Sequence, residues 1–273
     1  NYDVLSVDVV WTAEFAANGY LAEMPNVDTS GYLKAAVDSG TYFNKLYAFP
    51  STSDGAMLYY RKDLLTAAGI TAAPKTWDEM KAACAAVKAK GVTIDCYGGQ
   101  FQKYEGLTCN FAEMVNSAGG EFLSADGKPT VNSEKAVAGV KWAVDAFTDG
   151  TIPKAALTWK EEESRKYFQD GKLLFLRQWP YVYSLANKTD GSSAIAGKFG
   201  VAPIPGLTGP GVSTLGGHNM GISKFTKNKG TALAFVKWWN NEEMQKNRLE
   251  KGSLAPTREA LYDDADLQKQ FPY

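Results

Sequence analysis

Ala48-Phe-Pro-Ser-Thr-Ser-Asp-Gly-Ala-Met-Leu-Tyr-Tyr-Arg-Lys-Asp-Leu-Leu65 changes character midway. An apolar approach, Tyr47-Ala-Phe-Pro50, gives way to the short polar run Ser51-Thr-Ser-Asp54 and then Gly55. The apolar strand Ala56-Met-Leu-Tyr-Tyr60 follows, and a helix starts near Asp63. Hydroxyls and a carboxylate held on backbone between two strands are what a cleft needs to grip a hydroxylated ligand.

Strands and helices alternate on either side of this stretch. Asp3–Val10 reads as an apolar strand carrying Ser6 and Asp8, the pattern of burial on both faces. Trp11–Asn18 and Thr29–Ser39 read as helices, and Leu46–Phe49 as a strand. Thr76-Trp-Asp-Glu79 is a capping box opening a helix with Met80, Ala83, Cys84 and Val87 on one face. Further helices are predicted over 107–118, over Glu134–Thr148 with Asn132 as cap, over Lys160–Gln169, and over Lys229–Lys251 as one helix or a pair. Thr93–Tyr97, Leu173–Leu176 and Phe199–Pro203 read as strands, and Asp126-Gly127 as a tight turn or hairpin. This alternation predicts an α/β architecture with mainly parallel sheets flanked by helices.

A chain of 273 residues exceeds one comfortable small domain, so two lobes are expected. With 45% hydrophobic and 22% charged residues it can bury a sizeable core. The net charge of −1, without a basic run, argues against a nucleic-acid partner, whose phosphates demand clustered Lys and Arg. No apolar run approaches the roughly 20 residues that span a bilayer. Trp, Tyr and Phe make up 12% of the chain, and Trp and Tyr faces suit the C–H faces of sugars. An exported protein could pair two of Cys84, Cys96 and Cys109; Cys84 with Cys96 would bridge a short helix-to-strand connection, leaving Cys109 a buried thiol. Sequence leaves that connectivity open.

Five polar–aromatic clusters lie at strand ends or in loops. The first is Asp8-Val-Val-Trp11, whose carboxylate can accept two sugar hydroxyls or else cap the following helix. Ser51-Thr-Ser-Asp54 is the second. In the third, Tyr104 and Glu105 stand beside a helix N-terminus with Asn110 one turn on. The fourth is Arg177-Gln-Trp-Pro-Tyr-Val-Tyr183, where proline restricts Trp179 and turns it into a stacking platform, with Tyr181 beyond it. The fifth is Thr214-Leu-Gly-Gly-His-Asn219, where Gly216 and Gly217 allow close backbone approach and His218, the only histidine, is a neutral donor and acceptor.

Val7-Asp-Val-Val-Trp-Thr-Ala-Glu-Phe15, Leu58-Tyr-Tyr-Arg-Lys-Asp-Leu-Leu65, Lys103-Tyr-Glu-Gly106, Phe168-Gln-Asp-Gly-Lys-Leu-Leu-Phe-Leu-Arg-Gln-Trp-Pro180 and Leu215-Gly-Gly217 together resemble the extracellular solute-binding proteins of sugar ABC importers, most of all their trehalose/maltose-binding lipoprotein branch. The resemblance covers nearly the whole chain. It implies a type II periplasmic-binding-protein-like fold with a hinge and an interlobe ligand site. It assigns 1–54 plus 216–256 to one lobe and 55–215 plus 257–273 to the other. It also implies a sugar ligand, docking on ABC permease subunits, a monomer, and an extracytoplasmic location, periplasmic or lipid-anchored. Beside the family, an opening strand and helix and a closing helical segment are absent, so the chain reads as the middle of a longer protein. In the family, carboxylates at the Asp8 and Asp54 positions and the Trp179 ring form part of the disaccharide site. His218 stands where relatives often carry Trp, which removes one stacking face. Arg258, in Ala255-Pro-Thr-Arg, is a further candidate contact.

One histidine and three scattered cysteines build no metal cluster, and no Walker A, G-x-S-x-G or G-x-G-x-x-G pattern occurs, so no cofactor is implied. The enzymatic alternative is a glycoside hydrolase using paired carboxylates such as Asp54 and Glu105. It needs one carboxyl with a raised pKa, and the polar neighbours in sequence predict none. A non-catalytic adhesion module is the third class.

Overall fold

The computed structural model describes residues 2–273, which divide into two compact units. One runs from the start of the chain to Gly55 and from Leu215 to Pro272; the other is Ala56–Thr214 with Tyr273. The chain therefore passes from the first unit to the second and back.

In the first unit, Val4–Asp8, His218–Ile222 and Ala48–Pro50 form a three-stranded sheet with His218–Ile222 in the middle. Both ladders are antiparallel, and Asp8 lies opposite His218. Val4–Asp8 is thus an edge strand with only Val7 fully buried, not a strand buried on both faces. A second short antiparallel ladder pairs Asp54–Gly55 with Leu215–Gly216. The core gathers Ala22, Met24, Tyr32, Phe49, Ile222 and Val236. The helical stretch near the C-terminus is a pair, Lys229–Trp239 and Glu242–Gly252, broken at Asn240-Asn241. Asn241 caps the second helix, its side chain accepting from Met244 N at 2.8 Å.

Residues 257–272, expected in the other lobe, belong to this unit, and Tyr273 alone falls in the other. Ser253 adopts a left-handed backbone (φ 54°) that turns the chain back. Gln245 then accepts from the amide of Thr257 at 2.6 Å, and Thr257 O accepts from Leu33 N at 2.8 Å. Lys246 and Asp264, 2.9 Å apart, tie the end down.

The second unit holds a four-stranded sheet in the order Asp95–Gly98, Leu173–Gln178, Met57–Tyr60, Gly200–Ala202. Leu173–Gln178 is buried at every position, Arg177 and Gln178 included. Thr76 caps Trp77–Ala89 with both arms of the capping box in place. That helix buries Trp77, Met80, Ala83, Cys84 and Val87, the predicted face with Trp77 added. Truncating Met80, fully buried, would cost about 2–5 kcal/mol. A disulfide joins Cys84 to Cys96, with Cα atoms 5.5 Å apart, and Cys109 is free and buried. The helices Glu105–Ser117 and Glu134–Thr148 pack closely because Gly139 has no side chain; a Cβ there would strike the Met114 carbonyl. The cap of the latter helix is Ser133, accepting from Ala136 N at 3.3 Å, not Asn132.

The expectation of mainly parallel sheets is overturned. Among the described strands only Asp95–Gly98 beside Leu173–Gln178 is a parallel pair, and one isolated bridge, Thr76 to Gly206, is parallel as well. Parallel neighbours need a helical crossover between them. Here most neighbours come from distant parts of the chain, such as Val4–Asp8 and His218–Ile222, so alternation of elements did not set strand direction. The predicted helix over Thr29–Ser39 forms only from Lys34, and the Asp126-Gly127 hairpin shrinks to a bridge between Leu123 and Pro129.

Candidate functional site

The first unit gathers Asp8, Asp54, Gly216, Gly217 and His218. Asp8 ends its strand in a turn: its Oδ1 accepts from Val10 N at 3.2 Å and its carbonyl from Trp11 N at 2.9 Å. Its other carboxylate oxygen lies 3.8 Å from His218 Nε2. Trp11, 46% exposed, stacks on Phe15 with ring centroids 5.9 Å apart.

The polar run leading to Asp54 is pinned residue by residue. Arg248 donates to Ser51 Oγ at 3.2 Å and to the Ser51 carbonyl at 3.3 Å. Burial lowers the pKa of Arg248 to about 10. Thr52 and His218 exchange two bonds, Thr52 N to His218 O and His218 N to Thr52 Oγ1, both 2.9 Å. Ser53 N donates to Ala255 O at 3.1 Å, and Asp54 is paired with Gly216 across the short ladder. Gly217 has φ +110°, and a Cβ there would run into the Thr52 carbonyl, so the close approach requires glycine.

The Asp54 carboxyl itself is part-buried and forms no hydrogen bond among the described residues. Burial, followed by repulsion from the Asp8 carboxylate, pushes its pKa up to about 7. The polar neighbours in sequence pointed the other way, because proximity of Asp8 and loss of water are properties of the fold. Tyr262 also lies within range of the Asp54 charge; its hydroxyl, raised to about 12 chiefly by burial, donates to Pro256 O at 2.8 Å. Sequence reading missed Tyr262, whose only signal was its place in a short turn after Pro256.

Arg258 is held elsewhere in this unit. Its guanidinium stacks on Tyr32 at 4.5 Å and donates to Ser30 O at 3.2 Å. No contact among the described residues joins it to Asp8 or Asp54.

The second unit groups Tyr104, Glu105, Trp179 and Tyr181 around a buried polar network. Trp179 is half-buried, and the Arg177 guanidinium lies 4.0 Å from its ring centroid. Arg177 is wholly buried and pairs with Glu113. Glu113 also accepts from Thr214 N at 3.1 Å. Tyr104 donates to Glu161 at 2.7 Å and Tyr181 to Glu162 at 2.7 Å. Burial, then those carboxylates, raise both phenols. Glu105 accepts from the Cys109 thiol at 2.8 Å, and burial followed by Glu105 pushes that thiol up to about 12, so it stays protonated.

Asn110 departs from its predicted role. It is buried, donating to Gly106 O at 2.8 Å and Gln100 O at 3.2 Å, and so fastens the preceding loop to its helix. Arg177 stood in the fourth cluster without a role, and Glu113 was missed. A charged residue inside an apolar strand, Leu-Leu-Phe-Leu-Arg177, was the available signal.

A family model described as bacterial extracellular solute-binding protein matches residues 1–272. The chain belongs to that family. A probable ABC transporter-binding protein of Deinococcus radiodurans is 35% identical over 99% of this chain and 66% of its own length. The chain thus spans about two thirds of that relative. Maltose-bound T. maritima MalE3 superposes with a TM-score of 0.92 and 36% identity, covering 100% of this chain and 70% of that one. The GacH receptor of Streptomyces glaucescens, described unliganded and with acarbose, gives 0.85 and 28%, covering 98% and 70%. The fold is that of two-lobed periplasmic binding proteins.

Proposed function

We propose that this chain is the substrate-binding component of a carbohydrate ABC importer, capturing a sugar without chemical turnover and delivering it to a membrane permease. The observation that carries this reading is the Asp54 carboxyl, a part-buried acceptor on a pinned backbone with no donor among the described residues. A sugar hydroxyl can pair with that open carboxyl, a hydrogen bond worth about 0.5–1.5 kcal/mol net. Asp8, Trp11, Gly216, Gly217 and His218 are the accompanying contacts in the first unit. Trp179 is the stacking platform of the second, with Tyr104, Glu105 and Tyr181 around it.

The maltose and acarbose named for the two solved relatives support a glucosyl oligosaccharide, with maltose and trehalose as first candidates. The family description supports work outside the cytoplasm, in a periplasm or on an anchored lipoprotein. The protein acts as a monomer in this reading.

Calorimetric titration with a panel of disaccharides tests it. A micromolar Kd, about −8 kcal/mol, is expected for one or more sugars; no heat with any member overturns the reading. The raised pKa of Asp54 beside Asp8 favours one second reading, a glycoside hydrolase whose acid is Asp54. Release of glucose from maltose by the purified protein would decide for it.

A further inference from the structure

Arg177 is fixed at three corners before any ligand arrives. Its Nε and Nη2 donate to the two carboxylate oxygens of Glu113 at 2.7 and 2.5 Å, and its Nη1 to Gln100 Oε1 at 2.9 Å. Gln100 is held in turn, its Nε2 donating to Ser164 Oγ at 2.9 Å and to the Arg177 carbonyl at 3.2 Å. Arg177, Gln100, Glu113 and Ser164 are all buried, so this cluster forms no part of the exposed surface. Toward Trp179 it presents the face of the Arg177 guanidinium, 4.0 Å from the centre of the indole ring.

We propose that Arg177 is a positioning residue for Trp179, clamping one face of the indole so that a single face, in a preset plane, is offered to the sugar. The inference rests on Trp179 being a ligand contact. Pro180 restricts the backbone of Trp179 and the guanidinium adds a fixed plane for its ring, which reduces the affinity that ordering on binding would lose. A planar, delocalised cation suits the task. It stacks on an aromatic face while its edge hydrogen-bonds a carboxylate, a combination that a lysine ammonium cannot reproduce. The pairing also accounts for a charge inside an otherwise apolar strand, where Arg177 would be costly without the Glu113 and Gln100 oxygens.

The test compares Arg177→Lys in two backgrounds, with Trp179 present and with Trp179→Phe. Near-UV circular dichroism of the ligand-free protein reads indole packing, and calorimetry with maltose reads affinity. With Trp179 present, Arg177→Lys is expected to change the indole band and to weaken binding about tenfold. In the Trp179→Phe background the same substitution should leave both unchanged. An unaltered indole band, or an equal affinity loss in both backgrounds, overturns the proposal. Should Arg177→Lys fail to fold, Glu113→Gln, which keeps the shape and weakens the anchor, is read in the same way. If no sugar binds the unmodified protein, the importer reading falls while the ligand-free band still decides whether Arg177 sets the ring.

Discussion

Around Arg177 each guanidinium nitrogen meets a side-chain oxygen, and the groups that supply those oxygens are buried beside it. Around Asp54 the backbone is held just as firmly, by Arg248, His218 and Ala255 acting on its three predecessors, yet the carboxyl has no donor among the described residues. Arg177 is withdrawn from water and satisfied from within the fold, whereas Asp54 is only part-buried and its carboxyl is left open. A satisfied buried network rigidifies its surroundings, and an unsatisfied group stores a demand that a ligand can meet. The contrast separates groups that build the candidate site from groups that would bind.

The sharpest way to break this contrast is to open the closed network. Glu113→Ala would leave Arg177 buried and unpaired, and thermal or urea unfolding should report a loss of about 3–5 kcal/mol; a near-neutral result would mean that water reaches Arg177. Next in size is Trp179→Ala, expected to weaken sugar binding by about 2 kcal/mol in calorimetry with little change in melting temperature.

Asp54→Asn probes the open side through pH. The folded carboxyl keeps its proton up to about 7, against an ordinary value of 3.8, so the folded state binds more protons between those limits. Stability from this group is therefore present at low pH and lost as pH rises through about 7. Melting curves at pH 5 and pH 8 should show the Asn variant gaining on the wild type at the higher pH, while its sugar affinity falls. An unchanged pH profile in the variant would remove Asp54 from the comparison. The smallest effect is expected from His218→Ala, whose partner Asp8 lies 3.8 Å away at an exposed edge: within about 0.5 kcal/mol of stability.

Features written in local sequence were legible. Thr76 and Glu79 announced their capping box and Met80 to Val87 their buried face, while of the paired glycines Gly217 makes a close approach, to the Thr52 carbonyl. Cys84 and Cys96 were an open pairing that the structure resolves. What stayed hidden depended on partners far away in the chain. Strand direction turned on Val4–Asp8 meeting a strand from beyond residue 217, and the home of residues 257–272 turned on Gln245 reaching Thr257. In the candidate site, Asp8, Asp54 and Trp179 could be singled out as residue types at strand ends. The raised pKa of Asp54, the grip of Arg177 on Trp179 and the burial of Asn110 could not, since each is set by neighbours that sequence spacing does not reveal.

Gly217 carries one last implication. Where the outgoing and returning stretches of chain meet in the first unit, main chain lies against main chain, with the Thr52 carbonyl occupying the volume a Cβ would need. Side chains at positions 8, 11 and 218 can therefore be exchanged one by one, while the seam beneath them, main chain on main chain, offers mutation nothing to exchange.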